Sequence, residues 1–88
     1  MLTFEKFSMA PVKIRVLYVK KLLNTLGFNL NETFLEDKYY KRALKKFQHD
    51  NDFGENCIVN KDVFNCLIKH VKDYEIIWKN MKWGEMND

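Results

Sequence analysis

Residues 11–27, PVKIRVLYVKKLLNTLG, carry the clearest helical pattern in the chain and decide the expected fold. Pro11 stands near the first helical position, where its missing N–H costs nothing, and Gly27 can end the helix in a left-handed cap. The apolar residues between them recur at helical spacing: Ile14, Leu17, Val19, Leu22, Leu23 and Leu26. This pattern predicts a helix over residues 11–26.

Two more amphipathic helices are predicted downstream, each after a residue that can cap it. Asp37 can cap the second helix, which we expect to end near His49 and whose apolar stripe is Tyr40, Ala43, Leu44 and Phe47. Asn60 can cap the third, whose stripe is Val63, Phe64, Leu67, Ile68 and Val71. The apolar periodicity continues to Met81, so either the third helix is long or it breaks near Asp73 and a fourth helix follows.

Composition favours one small all-α domain spanning residues 1–88. Hydrophobic residues make up 47% of the chain, and thirteen aromatic residues can supply a core without disulfides. Only three glycines and one proline are present, which argues against a many-turned β architecture. No apolar run approaches the roughly 20 residues of a membrane span. We therefore expect a three-helix bundle with a C-terminal helical extension.

The charged residues give little indication of nucleic-acid binding. Fifteen basic residues against twelve acidic ones leave a net charge of +3, and Arg15 and Arg42 are the only arginines. Arginine is the usual bidentate ligand of phosphates and guanines, so its scarcity makes nucleic acid an unexpected partner. A row of cations on the second helix fits either a solvated face or a site for an anionic polymer: Lys38, Lys41, Arg42, Lys45 and Lys46.

No pattern in the chain predicts an enzyme, a cofactor or a metal site. A nucleophile elbow, a His-Glu-x-x-His pair and a phosphate-binding glycine loop are all missing from the sequence. Cys57 and Cys66 lack the close spacing of a zinc ligand pair. His49 and His70 fall near predicted helix ends, where the helix dipole alone accounts for them.

The order of these segments resembles the peptidoglycan-binding domain, a non-catalytic three-helix module found beside cell-wall hydrolases. The matching runs are residues 16–28 (VLYVKKLLNTLGF), 40–48 (YKRALKKFQ), 51–53 (NDF) and 58–67 (IVNKDVFNCL). The resemblance covers about residues 13–71 and leaves 1–12 and 72–88 as extensions. It implies a domain that holds a murein glycan or stem peptide in a shallow groove beside the turns that begin the second and third helices.

The chain departs from the family at several positions. The family usually has glycine in both turns, where this chain has Asp37, Cys57 and Asn60, and a glutamine where it has Lys20. Asp and Asn tolerate left-handed backbone and cap helices, so the fold can be retained.

The resemblance and the turn chemistry together nominate a ligand-binding set: Glu36, Asp37, Tyr39, Asn60 and Lys61. Tyr39 lies off the apolar stripe and could stack on a sugar ring. The alternative is that Asp37 and Asn60 only cap helices, and that Lys61 is simply solvated. The sequence leaves both open.

Apolar residues in the terminal extensions nominate a second surface, for a protein partner, at Trp78, Met81 and Trp83. The alternative is that both ends wrap a small core. The expected function is a non-catalytic murein-binding module. No signal peptide is visible, so a phage-encoded virion or lysis protein, or a cytoplasmic location, is expected. The alternative function is an intracellular adaptor or inhibitor that binds a protein through its aromatic ends.

Overall fold

The computed structural model describes residues 1–81, and within them it contains five α-helices and no strands. The helices are α1 (Phe4–Met9), α2 (Val12–Thr25), α3 (Lys38–Asp50), α4 (Lys61–His70) and α5 (Tyr74–Asn80). The predicted all-α class is confirmed. Nothing in this part of the chain is a helix both long and apolar enough to cross a bilayer.

Helix α2 begins and ends as its sequence predicts. Pro11 is the N-cap, and Gly27 lies just beyond the helix with φ 103°. The Phe28 N–H donates to the Leu23 carbonyl over 3.1 Å and the Gly27 N–H to the Asn24 carbonyl over 3.0 Å. This pair of bonds is a Schellman motif, which needs a left-handed residue and explains the glycine.

Helices α3 and α4 are capped by the two predicted residues. An Asp37 oxygen accepts from the Tyr40 N–H over 2.8 Å, and the Asn60 side-chain oxygen accepts from the Val63 N–H over 2.9 Å. Each bond satisfies one of the amide groups that the first turn of a helix leaves without a partner. The caps therefore fix where the two helices start.

The open question at Asp73 is settled in favour of a break. Helix α4 ends at His70, and the chain turns at the buried Val71 before α5 begins at Tyr74. The Tyr18 hydroxyl of α2 donates to the Tyr74 carbonyl over 2.8 Å, which ties the start of α5 to the central helix. A long third helix would carry Tyr74 away from this position.

Helix α1 was not predicted. Its N-cap is Thr3, whose hydroxyl accepts from the Lys6 N–H over 3.3 Å. A helix of six residues is too short to be stable alone, so packing must hold it. Phe7 is buried and its ring lies 4.9 Å from that of Phe64 in α4.

The core forms around α2, which contacts α3, α4 and α5, while α1 packs on α4. Both terminal segments contribute to it, since Leu2, Phe7 and Met81 are buried. The Trp78 ring meets the Tyr18 ring edge-on at 5.0 Å. The ends therefore wrap the core, as one of the two alternatives predicts.

Candidate functional site

The segment before α3 is held by a buried lysine. Lys20, on α2, has no exposed surface, and its ammonium donates to the Thr33 hydroxyl over 3.0 Å and to an Asp37 oxygen over 3.1 Å. We call residues 33–37 the first turn. The buried cation fixes both ends of this turn against the central helix.

The segment before α4 is held by a buried amide. Gln48, on α3, is fully buried, and its amide nitrogen donates to the Asn56 side-chain oxygen over 3.0 Å and to the Ile58 carbonyl over 3.1 Å. Its oxygen accepts from the Cys57 N–H over 3.1 Å. We call residues 56–60 the second turn. One side chain thus satisfies three groups of this turn.

A shallow groove of about 230 Å³ lies between the two turns. We call it the turn groove. Its walls come from α1, from the first eight residues of α2, from the start of α3 and from both turns. It is lined by Phe7, Val12, Arg15, Val16, Val19, Glu36, Tyr40, Cys57, Ile58 and Val59. Most of this lining is apolar, with one cation and one anion.

Arg15 and Glu36 supply opposite charges to the turn groove. The Arg15 Nε donates to the Ala10 carbonyl over 3.1 Å, which holds the guanidinium in place. Burial, together with the Glu36 carboxylate, raises the pKa of the Tyr40 phenol, while Arg15 opposes this rise. Both charges therefore act on the same buried phenol, which stays protonated at neutral pH and can donate a hydrogen bond.

Among the predicted ligand residues, Asp37 is occupied by the fold itself. One carboxylate oxygen accepts from the Tyr40 N–H and the other from Lys20. The Tyr40 N–H, followed by the Lys20 ammonium, holds the pKa of Asp37 below its usual range. Asp37 therefore caps α3, as the alternative predicts, and it also pairs with Lys20, which the sequence did not predict.

Asn60 and Lys61 lie outside the turn groove. Asn60 caps α4, and the exposed Lys61 ammonium lies 3.9 Å from a Glu5 oxygen. A pair at that distance between exposed groups is weak. Of the five predicted ligand residues, only Glu36 lines the turn groove.

Tyr39 lies in a different groove, also of about 230 Å³, which we call the tyrosine groove. It is lined by Phe28, Asn29, Leu30, Tyr39, Arg42, Ala43 and Lys46. The Tyr39 side chain is 56% exposed, and the Lys38 ammonium lies 5.2 Å from the centre of its ring. Glu36 and Tyr39 are close in sequence, yet the structure does not bring them into one site.

The residues predicted to bind a protein partner differ in exposure. Met81 is 7% exposed and belongs to the core, so it offers a partner little surface. Trp78 is half-buried and borders two shallow grooves, one formed with Lys6, Met9 and Ala10 and the other beside Met1 and Leu2. Trp83 lies outside the described residues.

No cluster of three or more His, Cys, Asp or Glu side chains within residues 1–81 could hold a metal ion. Cys57 and Cys66 are both free thiols, and burial raises the pKa of Cys66. The His49 Nδ1 lies 3.1 Å from a Glu55 oxygen on the surface.

Arg15 and Ile58 are groove residues that the sequence did not nominate. A signal for the groove was present in the sequence, because Val12 and Val16 recur at helical spacing with Val19 of the main stripe and so widen its apolar face. Nothing in the sequence indicated that the second turn would cover this face.

A scan against protein-family models, a search of curated proteins and a search of solved structures each gave no match to this chain.

Proposed function

We propose that the chain is a non-catalytic binding module whose ligand is the peptide part of peptidoglycan, held in the turn groove. The observation that carries the proposal is an apolar groove between two helix-initiating turns with Arg15 and Glu36 among its lining. Helices α2, α3 and α4 lie within residues 12–70, which is nearly the segment (13–71) whose sequence resembles the peptidoglycan-binding family. Both turns are held by residues of the preceding helices, which preorganises the groove.

The chemistry of the groove favours a stem peptide over a glycan. A stem peptide carries carboxylates that can pair with Arg15 and an amine that can pair with Glu36. Its alanine methyl groups can pack on the valines that line the groove. A sugar ring would need an exposed aromatic face to stack on, and the exposed Tyr39 lies in the other groove. The volume also lies below the roughly 300–1,000 Å³ of enclosed small-molecule pockets, as expected for a segment lying across the surface.

Sedimentation with purified murein tests the proposal. We expect the protein to pellet with murein, and Arg15→Gln and Glu36→Gln each to weaken retention by about tenfold, the cost of losing one charged hydrogen bond. The matched control is Lys61→Gln, which removes an exposed charge outside the groove. Loss of retention in Tyr39→Ala alone would place a glycan in the tyrosine groove and contradict the stem-peptide assignment.

A protein partner is the second candidate, and one observation favours it. Met9 is 84% exposed beside the apolar groove that it forms with Lys6, Ala10 and Trp78. Methionine and tryptophan are enriched at interfaces between proteins. If the protein does not pellet with murein, a photo-reactive residue at position 9 should cross-link to a protein partner, whereas the same residue at position 61 should not. Phage origin stays a prediction from the sequence.

A further inference from the structure

The tyrosine groove combines an apolar floor with a cationic rim, and the proposed function does not use it. Phe28 and Leu30 come from the connector after α2 and pack against the core on their inner sides. Tyr39 and Ala43 face them from α3. Arg42 and Lys46, one turn apart on α3, line the same groove. Apolar and cationic surfaces therefore meet in a single depression.

The two rim cations are available to a ligand. Within residues 1–81, Arg42 makes no salt bridge. The Lys46 ammonium lies 3.0 Å from an Asp50 oxygen, but both side chains are about half exposed or more, at 65% and 49%. An exposed pair at i, i+4 contributes only about 0.3–0.5 kcal/mol, so an incoming carboxylate can replace Asp50.

Most of the charged side chains on α3 are cationic. Lys38, Lys41 and Lys45 lie on α3 with the two rim residues, and Asp50 is the single acidic residue of that helix. Exposed cations concentrated on one side attract an anionic ligand and speed its association. Charge complementarity therefore requires an acidic occupant.

We propose that the tyrosine groove binds an acidic peptide segment of a protein partner. An aliphatic or aromatic side chain of the segment enters the groove against Phe28, Leu30 and Tyr39, and flanking carboxylates pair with Arg42 and Lys46. A volume of about 230 Å³ suits side chains inserted from a segment on the surface, since enclosed ligands usually occupy about 300 Å³ or more.

Nucleic acid fits this groove less well than an acidic peptide. Bases bind single-stranded sites by stacking on aromatic faces, but the Lys38 ammonium lies over the Tyr39 ring. The remaining floor is formed by Phe28, Leu30 and Ala43, which suit an inserted apolar side chain better than a phosphate backbone. A purely charged polymer would leave that floor uncovered.

Fluorescence anisotropy with three labelled probes tests the inference: a peptide of Glu-Glu-Leu repeats, the same peptide with serine for leucine, and oligothymidine. We expect the leucine peptide to bind at least about tenfold more tightly than the serine peptide, which corresponds to about 1.4 kcal/mol. High salt should weaken this binding without abolishing it, since the apolar part is not screened.

Two charge-reversed variants with the same net charge localise the site. Arg42→Glu with Lys46→Glu should weaken binding of the leucine peptide at least tenfold, on the order of one lost charge pair. Lys41→Glu with Lys45→Glu is the matched control, because neither residue lines the groove, and should change affinity by less than about threefold. Circular dichroism of both variants should show unchanged helix content.

Several outcomes would overturn the inference. These are no binding of the leucine peptide, equal binding of the serine peptide, tighter binding of oligothymidine, or equal losses in the two double variants. Murein retention should be unchanged in Arg42→Glu with Lys46→Glu, because neither residue lines the turn groove. The two proposals can therefore fail separately.

Discussion

The first and second turns are each held by a buried side chain of the preceding helix, but the two side chains differ in chemistry. The helix before each turn is followed by a residue with left-handed backbone: Gly27, with φ 103°, after α2, and Asp52, with φ 63°, after α3. In both places the next residue is a phenylalanine. Each turn also leads into a capped helix. The first is anchored by the buried ammonium of Lys20, and the second by the buried amide of Gln48.

The comparison shows that the stability lost on removing an anchor depends on which polar groups are left without a partner. Without Lys20, Asp37 keeps the Tyr40 N–H as a partner and its side chain remains 32% exposed to water. Without Gln48, the Cys57 N–H and the Ile58 carbonyl lose the bonds that hold the second turn. The uncharged anchor should therefore contribute more to stability than the charged one.

The largest expected effect is that of Gln48→Leu. Leucine fills similar space but removes the partners of the Cys57 N–H and the Ile58 carbonyl, whereas the Asn56 oxygen still accepts from the Ile58 N–H. Each unsatisfied group costs about 1–3 kcal/mol when water cannot reach it. Because the turn can partly open to solvent, we expect the free energy of unfolding to fall by about 3 kcal/mol. Urea denaturation measures this.

Gln48→Glu is the matched control for that variant. It keeps the oxygen that accepts from the Cys57 N–H but loses the donors to Asn56 and Ile58. A smaller loss in Gln48→Leu than in Lys20→Met would reverse the proposed order of the two anchors.

Lys20→Met should cost less, about 1–2 kcal/mol. Removing one partner of an ion pair costs most when the other charge is left buried and unpaired. Asp37 is 32% exposed and keeps its bond to the Tyr40 N–H, so the cost is smaller here. Thr33 loses its donor, which accounts for the remaining cost. Thermal unfolding at neutral pH measures the change.

The pH dependence of stability should distinguish the two anchors further. The folded-state pKa of Asp37 is depressed, so its contribution is present above the pKa of the unfolded chain and is lost as pH falls through the folded value. The wild-type protein should therefore lose stability from about pH 4 downward. Lys20→Met should show a smaller loss, because one cause of the depression is gone. An identical acid profile in the variant would contradict a role for this pair.

Gly27→Ala should reduce stability by about 1 kcal/mol. No atom lies within 4 Å of the position that an added Cβ would occupy, so the whole cost is backbone strain at φ 103°. Asp52→Ala is the comparison at the corresponding position of the second turn. A loss there as large as that in Gly27→Ala would mean that the conformational freedom of glycine does not set the cost.

The smallest expected effect is a gain in stability. Cys57 has φ 60°, a conformation in which an ordinary L-residue is strained by about 1–2 kcal/mol. Cys57→Gly should therefore stabilise the protein by about 0.5 kcal/mol, after the added freedom of the unfolded chain is subtracted. Asp52→Gly should gain less, since aspartate tolerates this region. A destabilised Cys57→Gly would show that the contact of the thiol with the Lys41 carbonyl, at 3.4 Å, outweighs the strain.

Local features of the fold could be predicted from the sequence. Asp37, Asn60 and Gly27 act through bonds to residues only a few positions away, so their identities already indicate the helix ends. Helix α1 could not be predicted, because contacts with α4 stabilise it and such contacts leave no periodic pattern in the sequence. The break before Tyr74 depends on the bond from Tyr18, far away in sequence.

The candidate site could be predicted only in part. Glu36 was nominated as a ligand residue and lines the turn groove, whereas Tyr39 lies in another groove, because α3 starts between them and redirects the side chains. Arg15 joins Glu36 only through the packing of the first turn on α2, where Lys20 holds Thr33 and Asp37. Residues that meet through tertiary packing cannot be paired from their spacing.

The packing of α1 and α5 against the core has a practical consequence for shortening the domain. A fragment limited to residues 13–71 would lack Phe7, which packs on Phe64, and Trp78, which packs on Tyr18. The aromatic surfaces of Phe64 and Tyr18 would then be exposed. Such a fragment would tend to aggregate. Fusion partners and affinity tags should therefore be joined through spacers beyond residues 1–81, with none of that segment removed.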